Sequence, residues 1–184
     1  KTGPGELGGD GRYSESGLVF VADTGRQGEE YVRKSWDNVQ NIMKQDGDLK
    51  GVSELPNEQS IRAAVGTGGS SGDWGYINRR SGWADAEASM RWLRHAAEST
   101  GRVTFLRGEA EQLLRTGKRV HGAVLKDGRT LEADLVMLAT GAWTGRLVDL
   151  RGRATATGQV LAYVGLTAAE QARLERMPVL LNMS

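Results

Sequence analysis

The residues whose types and spacing could hold a ligand are Thr140, Gly141, Ala142 and Trp143, which directly follow the apolar run Leu135–Ala139. A short unbroken apolar run predicts a strand buried on both faces, as in parallel sheets. In open α/β sheets, ligands bind beyond the carboxyl ends of such strands. Gly141 lacks a Cβ, so a ligand could approach its backbone, and Trp143 could cover a flat ring or fill a corner of the core. The segment therefore predicts the ligand edge of a nucleotide-binding sheet, with an ordinary buried strand and turn as the alternative.

Two glycine-rich stretches resemble phosphate-binding loops only in composition. Gly3–Gly8 has the spacing Gly-x-Gly-x-x-Gly. The dinucleotide fingerprint also needs a buried strand before it and a helix opening on its last glycines, and neither is predicted here. Gly66–Gly72 likewise follows no predicted strand and indicates a surface loop. Neither stretch is expected to hold a cofactor.

Composition narrows the class of partner. The 184 residues include 24 Lys and Arg against 23 Asp and Glu, without a basic cluster, so neither a nucleic acid nor a membrane surface is the expected partner. The absence of cysteine excludes a disulfide framework, a thiolate metal site and a cysteine nucleophile in this chain. No apolar run approaches the roughly 20 residues of a membrane span. We expect a soluble protein with a small-molecule ligand, in an intracellular setting.

The first half of the chain predicts alternating strands and helices. Val32, Trp36, Val39 and Met43 form one buried stripe of a helix over about 29–45, which Gly47 ends. The other predicted elements are a strand within 13–23, a helix over 58–65 after Pro56 and Asn57, a strand over 74–80, and a helix that Ser81 caps and that runs to about Glu98.

The second half predicts a β-meander that leads into the apolar run. Four short strands are expected over 103–106, 110–114, 120–125 and 130–133, and Asp127-Gly128 is a strong hairpin signal. His121 is expected to face solvent. A further strand is predicted within 151–164, and Thr167 with Glu170 forms a capping box before a short helix. The chain begins with Lys1 and ends on the strand-like run 178–184, so we expect a fragment or a partly ordered chain.

Three stretches together resemble the fructosyl amino acid oxidases, or amadoriases, of the D-amino-acid-oxidase and sarcosine-oxidase superfamily of flavoenzymes. They are Gly75–Ser89, Ala139–Leu147 and Leu150–Tyr163, which contains Ala-Thr-Ala-Thr-Gly-Gln-Val-Leu-Ala-Tyr. The third stretch is the most specific to amadoriases, whereas Ala-Thr-Gly-Ala-Trp occurs across the superfamily. The resemblance extends from about Tyr13 to the end of the chain.

The resemblance implies a mixed α/β fold: part of an FAD-binding Rossmann-like domain with a β-meander, plus part of a substrate-domain sheet. It implies substrate-domain segments at 1–73 and 151–184, and an FAD-binding portion at 74–150. It also implies an oxidase that acts on the C–N bond of glycated amino acids with oxygen as acceptor, in the cytoplasm or the peroxisome. The positions that match the family's FAD contacts are Ala110, Thr140, Gly141, Ala142 and Trp143, and no catalytic residue or metal ligand is implied.

The sequence also departs from the amadoriase pattern. The family's Gly-x-Gly-x-x-Gly loop in its proper setting, the cysteine that tethers FAD and the later substrate-binding segments have no match here. The chain therefore resembles the middle of an amadoriase, without a complete active site. A related amine oxidase acting on sarcosine, pipecolate or saccharopine is the first alternative. A binding or structural module that kept the fold and lost the chemistry is the second.

Overall fold

The structure, a computed structural model, describes residues 2–45, 47, 50–69 and 71–184. The chain forms two compact units, one made of Lys1–Gly101 with Gly165–Ser184 and the other of Arg102–Val164. The elements in chain order are β1 (Tyr13–Ser14), β2 (Leu18–Ala22), α1 (Glu29–Gln45), β3 (Val52–Leu55), α2 (Glu58–Val65), β4 (Trp74–Asn78), β5 (Trp83–Ala84), α3 (Ala86–Ser99), β6 (Ala110–Thr116), β7 (Arg119–Leu125), β8 (Thr130–Glu132), α4 (Thr144–Leu147), α5 (Ala168–Leu174) and β9 (Val179–Asn182). A 3-10 turn over Gly141–Trp143 precedes α4.

The first unit is built on a four-stranded mixed sheet with the order β3-β4-β2-β9. Strand β4 is antiparallel to β2 and β3, and β9 is parallel to β2. Alternate residues of these strands face opposite sides, so the sheet has two cores. One core contains Val19, Val21, Leu55 and Ile77 with Ile61 and Val65 of α2, and the other contains Phe20, Ala22, Trp74 and Tyr76 with Val32 of α1.

Helix α1 has the bounds and the buried stripe that the sequence predicts. Val32 and Met43 are buried, and Trp36 and Val39 pack partly buried against the core on the α1 side. The Trp36 ring lies 5.4 Å from the Tyr76 ring, between centroids. The N–H of Gly47 donates to the carbonyl of Lys44, and its φ of +69° suits a residue without a Cβ, which explains why the helix ends there.

The cap of helix α3 lies four residues later than predicted. Asp85, not Ser81, caps the helix, because its Oδ1 accepts a hydrogen bond of 2.8 Å from the N–H of Ala88. Residues 83–84 are held in a two-residue ladder with β1, which keeps them out of the helix. The ion pairs Glu87–Arg91 and Arg94–Glu98 join residues four positions apart on the exposed side of α3. Met90 and Leu93 of α3 are exposed.

The second unit confirms the predicted meander in most of its length. Strands β6, β7 and β8 form an antiparallel sheet, and Gly128, with a φ of +86°, forms the predicted turn between β7 and β8. The predicted strand at 103–106 is wrong, because these residues belong to no strand in the structure. His121 is half-buried instead of facing solvent, and its Nε2 lies 3.2 Å from Thr116 Oγ1.

The prediction of a buried strand at 135–139 is wrong. The segment is not assigned to any ladder, and Leu135 and Met137 are 79% and 82% exposed. The strand at 151–164 is wrong for the same reason, with Val160 98% exposed. An apolar run becomes a buried strand only where neighbouring strands supply hydrogen bonds and a covering face. No strand in the described part of the chain pairs with either segment.

The assignment of 1–73, 74–150 and 151–184 to substrate and FAD-binding domains stays a prediction.

Candidate cofactor site

A hydrogen-bonded turn links the end of the apolar run to α4. The N–H of Trp143 donates to the carbonyl of Thr140 at 3.0 Å, and Thr144 Oγ1 donates to the carbonyl of Gly141 at 2.8 Å. Thr140 Oγ1 lies 2.9 Å from Thr144 Oγ1 and acts as donor there, because the Thr144 hydroxyl proton is already committed. Gly141 has a φ of +52°, a conformation that favours glycine. These bonds fix the direction in which Trp143 leaves the backbone.

This turn forms one wall of a cavity in the second unit. The cavity has a volume of about 360 Å³, and its lining consists of Gly108, Glu109, Ala110, Thr140, Trp143, Arg146 and Leu147. Trp143 is 64% exposed, so much of its ring is free for contact. Cavities that hold small molecules span roughly 300–1,000 Å³, so this one suits a small ligand or one part of a larger one.

The cavity brings together three of the five residues predicted to contact a cofactor. Ala110 lies 30 positions before Thr140 in the sequence, and both line the cavity with Trp143. Gly141 and Ala142 form the turn between Thr140 and Trp143 and do not line the cavity. A Cβ built on Gly141 would meet no atom within 4 Å, so the space beside its backbone is open.

The opposite wall is held in place by the β7–β8 hairpin. Arg129 donates from Nη2 to the carbonyl of Arg107 at 2.6 Å and forms an ion pair with Asp127 at 2.8 Å. The hydrogen bonds from the side chain and the backbone N–H of Arg129 hold the pKa of Asp127 below its usual range. A Cβ on Gly108 would lie 2.6 Å from Leu125 Cδ1, so a larger residue here would force the end of the Leu125 side chain to shift. The hairpin thereby positions residues 107–110.

Charged side chains at the cavity were not anticipated from the sequence. Glu109 Oε2 lies 3.3 Å from Lys126 Nζ, and Glu109 Oε1 lies 4.0 Å from Arg146 Nη1. Two sequence signals could have indicated these charges. Glu109 directly precedes Ala110, and Arg146 lies three residues after Trp143, a spacing that places the Trp143 and Arg146 side chains on one side of a helical turn. Two cations therefore share one carboxylate at the rim.

Other kinds of site are not indicated in the residues that the structure describes. No group of three or more His, Asp or Glu side chains there could hold a metal ion. None of the helices in the described ranges has both the length and the apolar character that crossing a bilayer requires. His95 is exposed on α3 and takes part in no such group.

Comparison with known proteins defines the class. Residues 5–183 match the family model DAO, described as FAD dependent oxidoreductase. This match covers nearly the whole chain, so the chain belongs to the DAO family of FAD-dependent oxidoreductases. The mixed α/β fold predicted from the sequence is confirmed by the structure and by this family.

The chain is also similar to individual proteins. The chain is 27% identical over 210 aligned residues to amino acid oxidase imqH of Aspergillus flavus, covering 97% of this chain and 44% of that protein. It is 35% identical over 112 residues to amino acid oxidase fsqB of Aspergillus fumigatus, covering 59% of this chain and 22% of that protein. Among solved structures, a thermally stable mutant of fructosyl peptide oxidase superposes with a TM-score of 0.80 at 26% identity, covering 96% of this chain and 42% of that one. The chain thus spans less than half the length of these proteins.

Proposed function

We propose that this chain contributes part of the FAD site of an oxidase that acts on the C–N bond of fructosyl amino acids. The single observation that carries the proposal is the cavity that unites Ala110, Thr140 and Trp143. The resemblance assigned these residues to FAD, and Ala110 lies 30 positions before Thr140 and 33 before Trp143 in the sequence. Their convergence is what a shared ligand requires, and membership of an FAD-dependent family supports FAD as that ligand.

The cavity residues fit a part of FAD, which is larger than a 360 Å³ space. The exposed Trp143 ring offers an apolar face on which a flat ring system can pack. Gly141, in the turn next to the cavity, leaves open space beside its backbone, and the hydrogen bond between the hydroxyls of Thr140 and Thr144 stabilises the turn. When bound, FAD would accept a hydride from the substrate and pass the electrons to oxygen, giving hydrogen peroxide and an imine that water hydrolyses. The role of this chain's residues is to bind and orient the cofactor, and no catalytic residue is assigned among them.

A glycated amino acid is the substrate that the resemblance favours, and the superposition on a fructosyl peptide oxidase supports it. A related amine oxidase is the second candidate, because both curated relatives are named amino acid oxidases without a sugar in the name. An intracellular location, in the cytoplasm or the peroxisome, belongs to the same proposal.

The test uses the full-length product of the gene, whose intact mass is first compared with its reading frame. We expect a yellow protein with a flavin absorption band that releases peroxide with fructosyl valine or fructosyl lysine, and not with free valine. Turnover of sarcosine, pipecolate or saccharopine in place of the fructosyl compounds would favour the second candidate. A colourless full-length protein that oxidises none of these would overturn both and favour a module without catalysis.

The 184-residue chain alone serves as a control. It should bind FAD weakly or not at all and should release no peroxide, because the cavity residues contact only part of the cofactor. A flavin band that survives gel filtration of this chain, or turnover by it, would show that the proposed division of the FAD site is wrong.

A further inference from the structure

The charged rim of the cavity is not explained by the proposed contacts of Ala110, Thr140 and Trp143. Arg146 lines the same cavity as Trp143, and its side chain is 73% exposed. Its nearest carboxylate oxygen is Glu109 Oε1 at 4.0 Å, which is the outer limit for an ion pair. A contact at this distance, between exposed side chains, contributes little free energy.

Lys126 is the closer partner of Glu109. Its Nζ lies 3.3 Å from Glu109 Oε2 and 3.5 Å from Oε1. Lys126 is therefore the closer cation to the Glu109 carboxylate, and the Arg146 guanidinium, which Glu109 holds only loosely, can contact a second anion. Arginine presents several N–H donors in one plane, which suits the oxygen atoms of a phosphate.

The charge balance of the second unit points the same way. Residues 102–164 contain ten Arg and Lys against six Asp and Glu, while the whole chain has 24 against 23. The excess of positive charge thus lies in the unit that holds the cavity. A positive unit raises the local concentration of anionic ligands.

We propose that Arg146 recognises a phosphate group of the ligand whose flat ring packs on Trp143, and that Glu109 opposes this contact while Lys126 restrains Glu109. The ligand class is a phosphate-bearing ring compound such as an adenine nucleotide. This inference rests on the proposed function, because it assigns the charge specificity of the same cavity. Trp143 and Arg146 then have different roles in recognition: Trp143 contacts the ring of a neutral or a charged ligand alike, and Arg146 favours the phosphorylated ligand.

The test titrates the 184-residue chain with adenosine and with ADP at millimolar concentrations and follows backbone amide resonances of Ala110, Thr140, Gly141 and Trp143 by NMR. ADP should bind more tightly than adenosine, and added salt should reduce the difference. Arg146→Gln should lower the affinity for ADP by about three- to fivefold, the size expected for an exposed ion pair, and should leave adenosine unchanged. Glu109→Gln should raise the affinity for ADP by a similar factor.

Arg153→Gln is the matched control, since Arg153 lies in the same unit, carries the same charge and does not line the cavity. It should keep the preference for ADP. The inference is overturned if Arg146→Gln leaves that preference intact, if Arg153→Gln lowers it equally, or if ADP shifts none of the four resonances. In each of these cases the proposed function stands as long as the full-length protein carries flavin, so the two failures are distinguishable.

Discussion

At the residue scale, the structure separates side chains that maintain the fold from those that face a cavity. Trp36 and Trp143 are two tryptophans in different settings: Trp36 lies in the apolar stripe of α1, and Trp143 ends the turn after residues 135–139. Trp36 packs against the core beside Tyr76, whereas Trp143 is 64% exposed beside a cavity. The helical stripe predicts the first environment, whereas the sequence left open whether Trp143 covers a ligand ring or fills a corner of the core.

Trp36→Ala should destabilise the first unit without acting on the cavity. Truncating a fully buried tryptophan to alanine lowers the free energy of unfolding by about 3–5 kcal/mol. Because Trp36 is only partly buried, we expect a loss of roughly 2 kcal/mol. Urea denaturation followed by circular dichroism measures this loss. A change of less than about 0.5 kcal/mol, the range of surface substitutions, would show that Trp36 does not support the core.

Tyr76 should make the stability of the first unit depend on alkaline pH. Burial raises the pKa of the Tyr76 hydroxyl, although the hydrogen bond with Ser35 Oγ at 2.8 Å partly offsets this. A group whose pKa is higher in the folded state contributes to the free energy of unfolding. This contribution is fully present below the unfolded pKa, which is about 10, and is lost as the pH rises through the folded pKa. Above pH ~10, the free energy of unfolding should therefore fall more steeply for the wild type than for Tyr76→Phe.

Ser35→Ala is the matched variant for this test. It removes the hydrogen bond partner but keeps the buried phenol, so the steep loss at high pH should remain. Equal slopes for the wild type and Tyr76→Phe above pH ~10 would contradict a raised pKa for Tyr76.

At the element scale, end signals and apolar stripes predict helices well because the interactions that form them are local. Asn57 and Thr167 both form capping boxes with the residue three positions later. The true cap of α3 was missed because the competing interaction, the β1–β5 ladder, joins residues about 70 positions apart. Distant pairing of this kind leaves no local pattern.

The two capping boxes should differ in their effect on global stability. Asn57 caps α2, whose Ile61 and Val65 are buried in the core, so Asn57→Ala should cost about 1 kcal/mol in the free energy of unfolding. Thr167 caps α5, which has no buried residue, so Thr167→Ala should fray that helix with a much smaller global effect. Chemical denaturation compares the two variants, and equal losses would contradict the packing described for α2.

Strands were the least predictable elements for a physical reason. Residues 135–139 have the apolar composition of a buried strand, yet a strand exists only where another strand accepts its hydrogen bonds. The sequence indicated the burial preference of this run but carried no information about its partner. The sequence nevertheless indicated that the run ends at 140–143, because a glycine such as Gly141 allows the local backbone conformation that a turn requires.

At the scale of the whole molecule, the two units differ in how much regular structure supports them. The first unit has a four-stranded sheet with helices packed on both faces, whereas the second has a three-stranded meander and long segments that belong to no strand or helix. A backbone without ladder or helix hydrogen bonds exchanges its amide protons quickly.

Hydrogen exchange of the 184-residue chain should therefore show two clearly different regions. Amides of β2 and β4 should exchange slowly, and those of 135–139 and 156–164 should exchange at nearly unprotected rates. Mass spectrometry of pepsin fragments measures both in one experiment. Strong protection at 135–139 would mean that this run is paired, contrary to its exposed state in the structure.

The two units also differ in charge, because the excess of Arg and Lys over Asp and Glu is confined to residues 102–164. The overall composition, which is nearly neutral, concealed this asymmetry. The sequence predicted a small-molecule ligand from the absence of a basic cluster, and an uneven distribution between units is compatible with a small anionic ligand.

The proposed contact of the turn at Thr140–Trp143 with FAD is tested most directly by the flavin-to-protein ratio of Gly141→Val in the full-length gene product. Gly141 has a φ of +52°, where a branched residue costs on the order of 1–3 kcal/mol of backbone strain, and the new side chain would fill the open space beside the turn. Gly145→Val is the matched control, since Gly145 has no positive φ and a Cβ added there would make only an ordinary contact with Leu150 at 3.8 Å. We predict that Gly141→Val loses most of its flavin while the thermal midpoint falls only modestly, and that Gly145→Val keeps its flavin. Full flavin occupancy in Gly141→Val, or equal loss in both variants, would contradict the assignment of this turn to the cofactor.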